Sequence, residues 1–160
     1  MHRRQVLAAT TALLPLAGCL SGTPGDGTTT DAPDETTTTA SPSLGDATLA
    51  QTGSQCATQD ATEASVAFES DAVAVTGTIV GADACFVATL AAAEFDPGAS
   101  VLTVTVRSER QTDEDTACAQ CITAIDYEVR ATFADGLPER VVVEHERDGG
   151  TETVAEASRG

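Results

Sequence analysis

Apolar and polar side chains alternate along most of the second two-thirds of this protein. Val101 to Val106 reads V-L-T-V-T-V, and between Cys121 and Phe133 the odd-numbered positions are mostly apolar. A period of two residues is typical of a β-strand with one buried face. The pattern predicts strands, separated by turn residues, at Ala64–Glu69, Val73–Ile79, Cys85–Phe95, Val101–Val106, Cys121–Phe133 and Val141–His145, with a last hairpin strand at Glu152–Ala155.

We therefore predict an all-β domain over residues 55–157, a small antiparallel β-sandwich of about six or seven strands, with a short tail at 158–160. This arrangement resembles small exported β-sandwich domains with immunoglobulin-like architecture. Residues 83–94 have a second interpretation, a helix that begins at Asp83 as its N-cap. We favour a strand there because the neighbouring segments on both sides are strands.

The first residues carry the pattern of an export signal. Arg3 and Arg4 precede an apolar stretch at residues 6–17 that is too short to cross a bilayer as a helix. The stretch ends in Leu-Ala-Gly-Cys19, and small residues before a cysteine are what a lipoprotein signal peptidase needs. We predict a signal peptide over residues 1–18 and a lipid anchor on Cys19; the arginine pair resembles the twin-arginine export signal.

The next segment is rich in Thr, Pro and acidic residues and contains almost no large apolar side chains. Such a composition buries too little surface to offset the entropy of ordering. Residues 19–54 are therefore predicted to be the lipidated cysteine followed by a disordered linker.

The charge balance narrows the possible partners. The sequence has 25 Asp and Glu against 8 basic residues, a net charge of −17, and no Lys. This excludes a nucleic-acid binder that works through a basic face. Together with the signal at residues 1–19, the acidity resembles that of a haloarchaeal cell-surface lipoprotein. The resemblance implies a membrane anchor on the extracellular face, with an extracellular protein or ligand as the remaining partner.

Four more cysteines, Cys56, Cys85, Cys118 and Cys121, lie in the predicted domain. Outside the cell, such a set indicates two disulfides. If the strands form an antiparallel meander, all four lie at one pole of the domain, where the linker also enters. Three connectivities are possible, and we favour Cys85 with Cys118 or Cys121, and Cys56 with the other.

Two alternatives use the same cysteines. The four thiolates could hold a structural zinc ion, with Cys118 and Cys121 as one half-site. The C-x-x-C spacing of Cys118 and Cys121 also fits thiol–disulfide exchange, although such sites usually begin a helix.

No catalytic motif accompanies these cysteines, since the sequence has no G-x-S-x-G, phosphate loop or H-E-x-x-H. The lone His145 of the domain is expected near the cysteine pole, on the surface or with its hydrogen bonds satisfied. We expect a non-catalytic binding or structural domain of the envelope without a cofactor; the alternative is a thiol-redox or metal-handling lipoprotein.

Overall fold

A computed structural model describes residues 40–58, 61–111 and 116–160. The predicted signal peptide, Cys19 and most of the predicted linker lie outside these residues. The described part forms strands β1 (Ser43–Cys56), β2 (Glu63–Phe68), β3 (Ala72–Gly81), β4 (Phe86–Asp96), β5 (Val101–Arg110), β6 (Thr123–Ala134), β7 (Arg140–Arg147) and β8 (Gly150–Ser158).

The strands form two sheets, in the orders β1-β6-β3-β2 and β4-β5-β7-β8. All neighbouring strands are antiparallel except β5 and β7, which are parallel. The predicted all-β sandwich is confirmed, with eight strands where about six or seven were expected. Residues 86–94 belong to β4 and residues 83–85 form the turn before it, so the helix interpretation of that segment was wrong.

The core lies between the inner faces of the two sheets. Strand β6 shows the alternation most clearly, because Ile125, Tyr127 and Val129 are buried while Glu128 and Arg130 are exposed. Opposite them, Val104 and Val143 of the second sheet are fully buried. Packing of these apolar faces against each other is the main source of stability in a sandwich.

The strands do not form the antiparallel meander from which the common pole of the cysteines and the linker was argued. The backbone crosses from the first sheet to the second between β3 and β4, and β6 then returns to pair with β3. A continuous meander would place successive strands in one sheet and leave its apolar face uncovered, whereas the crossing gives each apolar face a partner.

The predicted linker boundary at residue 54 was also wrong. Residues 43–54 belong to β1, which pairs along its length with β6. Leu44 and Leu49 are the only large apolar side chains that β1 packs against the core. Backbone hydrogen bonds to β6 therefore contribute much of the stability of this edge strand. Residue composition does not reveal such hydrogen bonds, so it predicted a disordered linker here.

The start of β1 shows that the linker does not enter the domain at the pole of the cysteines, contrary to the expectation from the sequence. Ser43 pairs with Ala134 at one end of the sandwich, whereas Cys56 pairs with Thr123 at the other end. The polypeptide therefore enters the domain at the pole opposite the cysteines. None of the described residues forms a helix long and apolar enough to cross a membrane.

Gly77 is required by the packing of Tyr127. A Cβ atom at Gly77 would lie 2.6 Å from Cζ of Tyr127 and 2.7 Å from the carbonyl oxygen of Glu63. Both distances are shorter than van der Waals contact, so any side chain at this position displaces the tyrosine ring or the neighbouring strand.

We expect Gly77→Ala to lower the free energy of unfolding by about 1–3 kcal/mol, the usual cost of overpacking a core. Gly150→Ala is the matched control, because the nearest atom to a Cβ there is the Arg147 carbonyl oxygen at 3.7 Å. Denaturant unfolding of both variants measures the difference. Equal stabilities would contradict the close approach of Tyr127.

Candidate functional site

The structure pairs all four domain cysteines. Cys56 is bonded to Cys121 and Cys85 to Cys118, with Cα–Cα distances of 5.6 and 5.7 Å. The prediction of two disulfides is confirmed, and the pairing is one of the two that the sequence favoured. We call the end of the sandwich that holds these four residues the disulfide pole.

The two disulfides connect different parts of the fold. Cys56 ends β1 and Cys121 lies just before β6, so their bond links neighbouring strands of one sheet. Cys85 lies just before β4 and Cys118 lies on the segment that leads to β6, so this second bond joins the two sheets.

This pairing does not fit the alternatives that use the cysteines chemically. Exchange at a C-x-x-C site requires its two cysteines to form one disulfide, whereas Cys118 and Cys121 belong to different disulfides. Zinc is bound by thiolates, and all four sulfurs are bonded to another sulfur.

An ion pair supports the disulfide between the sheets. The Asp83 carboxylate accepts a hydrogen bond from the Cys85 backbone N–H at 2.8 Å and lies 2.5 Å from Nη1 of Arg110. Nη2 of Arg110 lies 3.3 Å from Sγ of Cys118. Asp83, Cys85 and Cys118 bring three possible metal-ligand atoms within 4.8 Å of one another. Because the sulfurs are in a disulfide and the carboxylate faces Arg110, we interpret this group as a structural contact.

A cleft of about 580 Å³ opens between the two sheets at the disulfide pole. Its apolar wall is formed by the end of β3, the start of β4 and the residue before β6, through Val80, Gly81, Ala82, Phe86 and Ile122. Its polar wall is formed by the ends of β5 and β7, the β7–β8 turn and the start of β8, through Ser108, His145, Arg147, Asp148, Gly150, Thr151 and Glu152.

His145 is the most buried polar side chain of this wall, with 1% of its surface exposed. Its Nε2 atom lies 2.7 Å from the hydroxyl oxygen of Tyr127, across the sandwich. The hydroxyl has no other hydrogen-bond acceptor among the described residues, so the tyrosine donates and Nε2 accepts. The proton of the neutral ring is then on Nδ1.

Nδ1 of His145 has no hydrogen-bond partner among the described residues, and neither does Oγ of Ser108 on the same wall. Buried polar atoms in native proteins nearly always have a partner, and one without costs about 1–3 kcal/mol. Two such atoms at one cleft are therefore a candidate for ligand contact.

Burial sets the ionisation of the Tyr127–His145 pair. It lowers the pKa of His145 to about 4, with a smaller contribution from the charge of Arg147. It also raises the pKa of Tyr127 above its ordinary value. Both side chains are neutral near pH 7, as the direction of their hydrogen bond requires.

The sequence correctly predicted His145 near the disulfide pole, but it indicated a side chain on the surface or with all its hydrogen bonds satisfied. The structure buries it and leaves one ring nitrogen without a partner among the described residues. The burial of His145 could have been predicted from the alternation of β7, because a period of two places the histidine on the same face as the core residues Val141 and Val143. Tyr127 was predicted on the buried face of its strand, but its contact with His145 depends on how the two sheets are stacked.

The stability of the domain should depend on the protonation of His145. The unfolded histidine has a pKa of 6.5 and the folded one of about 4, so the unfolded state takes up the proton first as the pH falls. The contribution of neutral His145 to the free energy of unfolding is complete above about pH 6.5 and is lost as the pH falls toward 4. We expect the free energy of unfolding of the wild type to fall by about 2 kcal/mol more than that of His145→Gln between pH 7 and pH 5. Parallel curves in denaturant titrations would exclude this effect.

Alkylation of double variants tests the disulfide pairing, in a Cys19→Ser background and without reductant. Cys85→Ser with Cys118→Ser leaves a bonded pair, so we expect no alkylation. The matched variant Cys85→Ser with Cys121→Ser leaves Cys56 and Cys118, which are not partners, so both should be alkylated. Intact mass measures the difference, and the reverse result would show that the pairing is wrong.

Comparison with known proteins does not assign this cleft. No protein-family model, no curated protein and no solved structure matches the sequence. The immunoglobulin-like and lipoprotein resemblances therefore stay predictions, and function is inferred from the residues themselves.

Proposed function

We propose that this protein is a lipid-anchored, non-catalytic domain on the extracellular face of the cell membrane, and that it binds a ligand or partner at the cleft of the disulfide pole. The single observation that supports binding is the cleft itself, with two polar atoms on its wall that have no partner among the described residues.

The anchor is proposed from the sequence. Cys19 follows an apolar segment and small residues in the order that lipoprotein processing needs. Two acyl chains on one residue would give durable attachment, since each buried CH₂ contributes about 0.8 kcal/mol. The first strand of the described domain begins at the pole opposite the cleft.

A non-catalytic role agrees with the surroundings of His145. A general base must be able to take a proton from a substrate near working pH. Here Nε2 is bonded to Tyr127 inside the core, and burial holds the pKa of the ring at about 4. The alternative role in thiol exchange or metal handling has no supporting observation among the described cysteines.

The anchor is tested with Cys19→Ser in the native host, with Ser21→Ala as the matched control beside the processing site. We expect the wild type and the control in the membrane fraction, with the mass of a lipidated N-terminus. Cys19→Ser should lack the lipid and appear in the medium. If all three forms fractionate alike, or if the wild type carries no lipid, the proposed anchor is wrong.

A further inference from the structure

The cleft of the disulfide pole combines an apolar wall with a graded polar wall. Ser108 and His145 lie deepest, Arg147 is in between, and Asp148 and Glu152 are exposed at the rim. Hydrogen-bond donors and the one positive charge of the cleft lining are therefore inside, and the carboxylates are outside.

Among the described arginines that form an ion pair, Arg147 has the longest contact with its nearest partner. Five described arginines form ion pairs, and four of them have a contact of 2.9 Å or shorter. The contact of Arg147 with Glu152 is 3.5 Å long, and the Glu152 side chain is 68% exposed. An exposed pair at this distance is worth little, so a ligand can displace Glu152 at small cost.

The strand register brings the donors together. Val106 pairs with His145 and Arg107 with Glu146 across the parallel strands β5 and β7. Ser108 and Arg147 are the next residues along these strands, and both line the cleft. The wall thus offers a guanidinium, a hydroxyl and, on the tautomer assigned above, the Nδ1–H of His145.

We propose that this cleft binds a carboxylate group on a carbon that carries an apolar side chain, as in a peptide C-terminus or a free α-amino acid. The inference rests on the proposed binding function and names its ligand class. Guanidinium and carboxylate match in shape as well as charge, because two parallel N–H groups can bond the two oxygens. The apolar side chain would lie against Phe86, Val80 and Ile122.

The order of contacts follows from exposure. Arg147, whose side chain is 33% exposed, meets the carboxylate first. The polar atoms of Ser108 and His145 are out of reach of water in the free domain, so they contribute only as the wall adjusts around the ligand. The net charge of −17 repels anions in dilute buffer. At molar salt the Debye length is about 3 Å, so this repulsion is screened and only direct contacts such as that between Arg147 and the carboxylate remain effective.

The test is calorimetry on the full-length protein in detergent and molar KCl with three probes: N-acetyl-leucine, leucine and leucinamide. We expect N-acetyl-leucine to bind at least about tenfold more tightly than leucinamide, which has no carboxylate. Similar affinities for N-acetyl-leucine and leucine would identify a peptide C-terminus as the source. Much tighter binding of leucine would identify a free amino acid, whose ammonium group meets Asp148 and Glu152 at the rim.

Variants locate the binding. Arg147→Gln should weaken binding of the tighter carboxylate probe by about tenfold or more, the loss expected for a charge-assisted hydrogen bond. Arg140→Gln is the matched control: it also removes a β7 arginine paired with a β8 glutamate, but away from this cleft. Its affinity should equal that of the wild type. Thermal melts show whether each variant is folded. If Arg147→Gln does not fold, Arg147→Lys replaces it. This variant keeps the positive charge but not the planar guanidinium, so we expect a smaller loss of affinity.

Three results would overturn the proposal: equal binding of leucinamide, no binding of any probe at millimolar concentration, or equal affinities in folded Arg147 variants and the wild type. None of them affects the anchor, which cell fractionation tests separately. A wrong ligand class is therefore distinguishable from a wrong assignment of the protein to the membrane surface.

Discussion

The hydrogen bond between Tyr127 and His145 is the contact on which the arrangement of this domain depends. It joins the two sheets through a donor and an acceptor that are both almost completely buried, at a distance of 2.7 Å. In such surroundings a polar pair is favourable only when its geometry is satisfied. It thus fixes the relative position of β6 and β7, and Gly77 provides the space that the tyrosine needs. It also fixes the imidazole ring, whose second nitrogen is buried without a partner among the described residues.

The disulfide pole holds the other side of the cleft in place. The Cys85–Cys118 bond joins the two sheets immediately before Phe86, and the Cys56–Cys121 bond lies immediately before Ile122. Both residues belong to the apolar wall. The Asp83–Arg110 ion pair ties the same turn to the end of β5. The cysteines, which the sequence presented as possible ligands or redox groups, act in the structure as supports of this wall.

The sequence predicted the strands better than their arrangement, for a physical reason. Alternation reports which face of a segment is buried, and it located seven of the eight described strands, including the buried side of β6. It does not report which strand is the neighbour, because backbone hydrogen bonds are available to any partner. The crossing from β3 to β4, the parallel pairing of β5 with β7 and the position of β1 are all decided by such pairing. The cleft could not be predicted because the parallel pairing of β5 and β7 brings Ser108 beside His145, and the stacking of the sheets places Ile122 on the other wall.

The low aromatic content explains why a cleft opens at this pole. Aromatic residues are only 3% of the sequence, so the core is built mainly from Val, Ile and Ala. These side chains fill the space between sheets about 10 Å apart only where both inner faces are apolar. Beyond Tyr127 and His145 the second sheet presents the small polar side chain of Ser108, while Gly81 of the first sheet is covered by Phe86. Phe86 and Ile122 lie on one wall of the gap there, the opposite wall is polar, and the disulfides tie the segments that carry these two residues. The cleft is thus a consequence of residue size at the end of the core, and its chemistry follows from the polar residues that β5 and β7 place there.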